Sequence, residues 1–450
     1  MKKKGSLKST IVVSLTNYLN AGAIVAGASG LSLWQNYLGL SGSNLGWLNA
    51  ISANCFGAAL GAITGGFLSD KYGRKNIYTH NLLVYMFGIM IIMFSVNFPM
   101  LLLGFTITGI AVGAGIPASW SYISESSEVC NRGRNIGISQ CAWGFGPAVI
   151  LLLGMLFAPG KDGQSAGVLF GFVQKVAAIF LNGNAGIEAL NVFSSRIIFG
   201  SLFIVAFIAW TLQRRLNESK DWEESKQEKK PGFFALLGSL FANKVNVRAI
   251  LFLTGIYLTW NFVAGVMGFF LPHILENAGG LSSAQSNMLP AIQCLITIVI
   301  TYFGFTMLVD KVNQRWLYFI GTAIGVAAWL ILVCVGIKNQ AALWVFLILW
   351  GIHGGMSVGA FYALWASELF PAKYRAAALG ITFFIVRAGS AIWGLVFVYI
   401  YGENGEGFDL TTYLMVGLLL FALIIGTIWT PKTRGKTLKQ ITEERYGNNI

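Results

Sequence analysis

Charge is scarce in this chain. Asp, Glu, Lys and Arg make up 11% of its 450 residues, with 18 acids against 31 bases and a formal net charge of +13. Beside 55% hydrophobic side chains and 54 glycines, so few charges cannot cover a folded surface in water. That excludes an ordinary soluble domain and points to lipid as the solvent. Histidine is scarcer still, confined to His80, His273 and His353. No acid stands beside a serine or cysteine in a nucleophile arrangement, so the chain is not expected to be an enzyme. Cys55, Cys130, Cys141, Cys294 and Cys334 are scattered singly, in odd number and at no metal-ligand spacing. They read as packing residues, and neither a metal nor a cofactor is expected.

What the chain has in quantity is long apolar runs. Stretches of about 18 to 25 apolar residues, enough to cross a bilayer, fall at 11–33, 46–68, 78–95, 99–122, 136–157, 196–213, 248–272, 286–309, 315–336, 340–366, 375–399 and 411–430. The stretch 165–181 is also apolar, but Gln174 and Lys175 interrupt it and Gly-Asn punctuation follows, so it reads as a loop element on the surface. Basic residues in short loops stay in the cytoplasm. With the amino terminus inside, 26 of the 31 basic residues are cytoplasmic, Lys161, Lys175, Arg196 and Lys338 are external, and Arg387 lies within a span. Both termini are expected in the cytoplasm. The positive charge reads as topology and attraction to lipid headgroups, with no nucleic-acid partner. The basic start lacks a small-residue cleavage site, so the first run is expected to stay as span one.

Two copies of one charge pattern lie about 240 residues apart. The first is Asp70-Lys71-Tyr72-Gly73-Arg74-Lys75, then Glu125 with Arg132 seven residues on. The second is Asp310-Lys311 to Arg315, then Glu368 with Arg375 seven on. Matching charges at the ends of apolar runs in two halves are the pattern of a duplicated membrane transporter. The expected organisation is a six-helix bundle at 1–213, a charged connector at 214–247, a second six-helix bundle at 248–430 and a polar tail at 431–450. Within the connector, Phe233-Phe234 and Leu236-Leu237 fit an amphipathic helix on the membrane surface. Gly57, Gly61 and Gly65, and likewise Gly109 and Gly113, recur every four residues, which lets helices approach closely.

Five motifs in order resemble those of the major facilitator superfamily, and within it the sugar porter family, over nearly the whole chain. Gly66 to Lys75 resembles the signature after span two, and Glu125 to Arg134 the glutamate and Arg-Gly-Arg element after span four. Leu216-Asn217-Glu218-Ser219 with Trp222 is similar to the element after span six. Glu368-Leu369-Phe370-Pro371 with Arg375 is similar to its second-half partner, and Pro431 to Leu438 to the closing motif. The resemblance implies an all-α membrane protein of twelve transmembrane helices in two pseudo-symmetric bundles. It also implies multi-pass insertion in the plasma membrane, and alternating access of a small-molecule substrate by proton symport or facilitated diffusion. A monomer is the default, with membrane lipid around it. Gating is expected of Asp70, Arg74, Glu125, Arg132, Glu218, Asp310, Glu368 and Arg375, where Arg74, Arg132 and Arg375 can pair with Glu125, Glu368 or Glu218. In the second copy Asn313-Gln314 replace the family's Gly-Arg, which weakens that latch.

By the same resemblance, Gln140 matches the family's sugar-binding glutamine of span five. Elsewhere the pattern departs. Thr259-Trp260, with Asn261 beside it, replaces the double glutamine of span seven, while Val358 and Val386 replace the span-ten tryptophan and the span-eleven glutamine. Trp260, Asn261, Gln293 and Trp393 with Gln140 are the candidates for an altered site that takes a polyhydroxylated ring such as an inositol. Arg387, within a span, should face a cavity, a partner or an anionic ligand, so a sugar acid or other carboxylate is the alternative substrate. Ala21 and Phe105 stand where proton-linked relatives carry an aspartate and an arginine, which leaves His353 as the candidate to carry a proton. A Gly146-Pro147 pair lacks the glycines that an exporter's span five would add. An answer of another class is a membrane sensor that does not transport.

Overall fold

The computed structural model describes residues 5–51, 55–160, 167–181, 186–225, 232–277, 280–281, 283–401 and 407–447. The basic start at 2–4, Lys161 and connector residues 226–231 lie outside the described residues. Among the described residues all regular structure is helical, which satisfies the backbone's hydrogen bonds within each segment where lipid offers no water.

In chain order the helices are α1 (Gly5–Ser29), α2 (Leu31–Leu38), α3 (Gly42–Ile51), α4 (Phe56–Tyr72), α5 (Arg74–Met93), α6 (Phe98–Ser126), α7 (Arg132–Leu156), α8 (Phe170–Phe180) and α9 (Ile187–Gln213). The connector contributes α10 (Lys220–Ser225) and α11 (Phe233–Ala242). Then follow α12 (Lys244–Asn277), α13 (Ser283–Ile300), α14 (Gln314–Val335), α15 (Gln340–Met356), α16 (Val358–Glu368), α17 (Arg375–Tyr401), α18 (Phe408–Ile428) and α19 (Leu438–Tyr446). Among the described residues eleven helices are long and apolar enough to cross a membrane. The remaining expected span, 46–68, is divided between α3 and α4 on either side of residues 52–54, which are not described.

Three elements differ from their expected form. Span ten is two helices, because the backbone at Ser357 leaves the helical region (φ −119, ψ −149) between α15 and α16. Span eight ends in a π-helical turn, Thr301–Thr306. The stretch 165–181 holds a helix, not a loop: Phe170, Val173 and Ala177 recur at helical spacing and bury one face of α8 on α9. The connector's amphipathic element is α11, with Leu236 and Leu240 inward and Phe234 out.

The fold is two pseudo-symmetric six-helix bundles. In the first, α1 packs on α7, α6 and α9, and α6 on α4 and α5; in the second, α14 packs on α15 and α18, and α12 on α13, α17 and α18. The bundles meet through two related pairs, α4 against α17 and α7 against α13. Glycines make these contacts intimate. A Cβ at Gly66 or Gly380 would strike the facing backbone of Ala376 or Ala62, so α4 and α17 touch main chain to main chain. The Gly61 and Gly113 expected to let helices approach bring α4 and α6 together inside one bundle.

Candidate functional site

The charged face, at the end of the bundles where the amino- and carboxyl-terminal segments lie, is built from the duplicated motif. At the α4–α5 turn Gly73 adopts φ 110, a conformation open to glycine, and a Cβ there would strike the Glu218 carboxylate. The turn aims Arg74 inward, where it is fully buried. Its guanidinium lies 2.7 Å from Asp70 and spans Glu125, with Nη2 at 3.0 Å from Oε1 and Nε at 3.2 Å from Oε2. Arg375, from the other bundle, donates to the same Glu125 Oε1 at 2.8 Å, and the Ser219 hydroxyl donates to Oε2 at 2.5 Å. One buried carboxylate thus holds two guanidiniums from two halves. Such a group is costly to desolvate and costlier to leave half-paired.

Asp70 also accepts from the backbone N–H of Ala376 at 3.3 Å and Ala377 at 2.7 Å, capping α17 across the interface. Its counterpart Asp310 accepts from Gly133 at 3.2 Å and Arg134 at 2.9 Å, capping α7 in the same way. Burial pushes the Asp310 carboxyl above its ordinary value, against the pull of those two amides and of Arg132. Arg132 pairs with Glu368 at 3.1 Å. Glu218 takes none of the three arginines offered to it. It accepts from the N–H of Lys75 at 3.1 Å and caps α5, because that helix start presents free amides within its reach. Ser219 and Trp222, whose indole donates to the Asp70 carbonyl at 2.9 Å, join the network; the sequence placed them in a motif but gave them no part in it.

Deeper in, between the bundles, lies a cavity of about 170 Å³. Of the six expected ligand residues, Gln140, Trp260, Asn261 and Arg387 line it. Gln293 and Trp393 do not. Gln293 sits one turn before Thr297 on α13, and it is Thr297 and Thr301 that reach the cavity. Trp393 stacks on Phe262 with centroids 5.1 Å apart and donates to the Phe262 carbonyl at 2.9 Å, which draws it to a separate small void beside Cys55. Trp365 does not line the cavity; it is fully buried one turn before Glu368 and donates to Gln314 at 3.1 Å.

The wall the sequence did not foresee is aromatic. Trp120, Trp143 and Tyr257 line the cavity beside Trp260, and Tyr257 stacks on Tyr362 at 3.8 Å with planes 2° apart. Arg387 is buried, its guanidinium 4.7 Å from the centre of the Phe383 ring, a cation–π contact. Ala21 lines the cavity, while Phe105 packs edge-on against Phe199 at 5.8 Å, away from it. His353 is buried behind Trp260 and hydrogen-bonded through both ring nitrogens.

Two helical half-bundles around a shared cavity, with matched charge clusters at one end, define a secondary transporter. The chain belongs to the Major Facilitator Superfamily, whose family model matches residues 10–395 and 280–447, and within it to the sugar porters; it is a transporter and not an enzyme. It is 38% identical over 466 residues to the minor myo-inositol transporter IolF of Bacillus subtilis (strain 168), covering 98% of this chain and 94% of that protein. With the glucose transporter GlcP of Staphylococcus epidermidis it shares 24% identity over 88% of this chain and 87% of that one. Among solved structures, the proton:xylose symporter XylE bound to 6-bromo-6-deoxy-D-glucose matches with a TM-score of 0.78 at 18% identity, covering 99% of this chain and 100% of that chain. At that identity the likeness speaks for the fold.

Proposed function

We propose that this protein carries a neutral sugar or polyol, myo-inositol or a hexose-like ring, across the plasma membrane by alternating access. The observation that carries the reading is the cavity between the bundles, where the Gln140 amide stands with the Trp260 and Tyr257 rings. An amide offers both a donor and an acceptor to a pair of hydroxyls, and an aromatic face suits the C–H face of a saturated ring. The similarity to a myo-inositol transporter supports the same class of substrate. In this reading the bundles at 1–213 and 248–430 rock about the cavity, with 214–247 as connector and 431–450 as tail. The charged face is cytoplasmic in this reading, which the distribution of basic residues supports. There Asp70, Arg74, Glu125, Arg132, Asp310, Glu368 and Arg375 form the latch, with Glu218 fixing the α4–α5 turn beside it. The protein works as a monomer in lipid.

For coupling we propose facilitated diffusion. Ala21 faces the cavity where proton-linked relatives would carry an acid, and among the described residues that line it there is no carboxylate.

Counterflow in proteoliposomes tests the substrate, and net downhill uptake with the external pH recorded tests the coupling. Labelled myo-inositol or a hexose should exchange saturably and should enter down its own gradient without proton movement, and Gln140→Ala should raise KM about tenfold. Arg387→Gln should leave neutral transport within about twofold. Exchange confined to sugar acids and lost in Arg387→Gln would replace the polyol by a carboxylate. Substrate-driven alkalinisation outside the vesicles would replace diffusion by symport, and binding with no flux would make the protein a sensor.

A further inference from the structure

His353 stands on α15 one helical turn before the break at Ser357. Its Nδ1 is 2.9 Å from the Gly321 carbonyl oxygen of α14. Its Nε2 is 2.9 Å from the indole nitrogen of Trp260 on α12 and 3.2 Å from the Ser357 hydroxyl. A carbonyl oxygen only accepts and an indole N–H only donates. The imidazole therefore carries its proton on Nδ1, donates to Gly321 and accepts from Trp260. A second proton, on Nε2, would face an N–H with an N–H, so the ring takes one up only by releasing Trp260. The space for the ring is made by Gly325, where a Cβ would overlap it, and Trp350 stacks on it with centroids 4.7 Å apart and planes 22° apart. Held by α14 and α15, the ring grips Trp260 by that side chain's one polar atom.

The grip has a consequence for the cavity. With its N–H spent on His353, Trp260 has no donor left for a substrate and presents its ring alone. That ring is stacked on Tyr257, with centroids 5.6 Å apart and planes 18° apart, and Gly359 leaves just enough room for its far edge. We infer that His353 is a positioning residue that fixes Trp260 as an apolar wall, so that the cavity favours a ring with one C–H face over a flexible or uniformly polar solute. The preference rests on the polyol reading; the His353–Trp260 pairing rests on geometry alone.

Two readouts separate these claims. In protein labelled with ¹⁵N-tryptophan, Trp260→Phe identifies the Trp260 indole resonance. That resonance should move upfield in His353→Leu and return in His353→Gln, whose amide oxygen can accept the same hydrogen bond. In counterflow, His353→Leu should raise KM for myo-inositol about fivefold, the worth of one net hydrogen bond, with Vmax per folded transporter within twofold. His353→Gln should restore KM, and His353→Leu should add nothing in a Trp260→Phe background. Should the leucine variant fail to fold, His353→Asn, too short to reach Trp260, should give the same loss. An unmoved indole resonance, a fall confined to Vmax, or additive penalties in the double variant would overturn the positioning role. If the resonance responds as expected while no polyol is carried, the substrate reading falls and the pairing stands.

Discussion

The two copies of the charged motif share a geometry and differ in strength. Asp70 caps α17 through Ala376 and Ala377, and Asp310 caps α7 through Gly133 and Arg134, so each half's acid closes on the first turn of a helix of the other half. The ion pairs around the two caps are unequal. Glu125 binds Arg74 and Arg375, whereas Glu368 binds Arg132. The residue at Arg74's position in the second copy is Gln314, which accepts from Trp365 instead of bridging an acid. Duplication thus preserved the backbone capping, which depends on one acid and a helix start. The guanidinium cluster was concentrated on one side. For the proposed latch this means that one corner of the charged face holds tightly and the other yields.

Breaking the strong corner should have the largest effect. Glu125→Gln leaves two buried guanidiniums sharing a neutral amide, a loss of about 3–5 kcal/mol from the closed arrangement. Transport should fall at least tenfold while the protein still assembles, as measured by counterflow normalised to reconstituted protein. Next comes the contrast of the two caps. Asp70→Asn removes the Arg74 pair along with the charge that caps α17, whereas Asp310→Asn removes a helix cap and the longer-range pull of Arg132, with no ion pair in contact. The first should lower the melting temperature in detergent more than the second, with equal losses counting against the asymmetry. A smaller change should come from making the weak corner resemble the strong one. Gln314→Arg places a cation near Glu368 at the cost of the Trp365 hydrogen bond, and should slow turnover severalfold while raising thermal stability. The smallest effect is expected of Ser219→Ala, which costs Glu125 one hydroxyl donor, about 1–2 kcal/mol, and should shift the melting temperature slightly with transport retained.

Much of the fold was legible because bilayer thickness imposes a length that composition reveals directly. The spans at 78–95, 315–336 and 411–430 correspond to α5, α14 and α18 within a few residues. The breaks were not legible. Ser357 is a single polar residue in an apolar run, and its neighbours Met356 and Gly359 meet Gly321 of α14 and Trp260 of α12, contacts that no local pattern records. In α8 the buried stripe Phe170, Val173 and Ala177 was present in the sequence, but the polar pair Gln174-Lys175 between them masked it.

For the charged face, residue types fixed which groups would pair and the fold fixed with whom. Glu218 was available to an arginine and went to the α5 amides. The cavity was read least well. Positions four apart share a helix face but differ in depth by about 6 Å, so Gln293 lies one turn beyond the part of α13 that reaches the cavity at Thr297, while Trp393 is drawn aside by Phe262. His353 was read as a proton carrier because it is a titratable group within a span; its two fixed partners are contributed by helices far off in sequence.

The most direct test is the distance across the charged face in the membrane. Spin labels at the exposed positions Lys71 and Arg315, one in each bundle, report its opening by double electron–electron resonance in nanodiscs. The account predicts a dominant short distance in the otherwise native protein, a shift to a longer one with Glu125→Gln, and a narrowing toward the short one with Gln314→Arg. A distribution unchanged by Glu125→Gln would mean that the buried guanidinium cluster does not hold the two halves together, and would contradict the account.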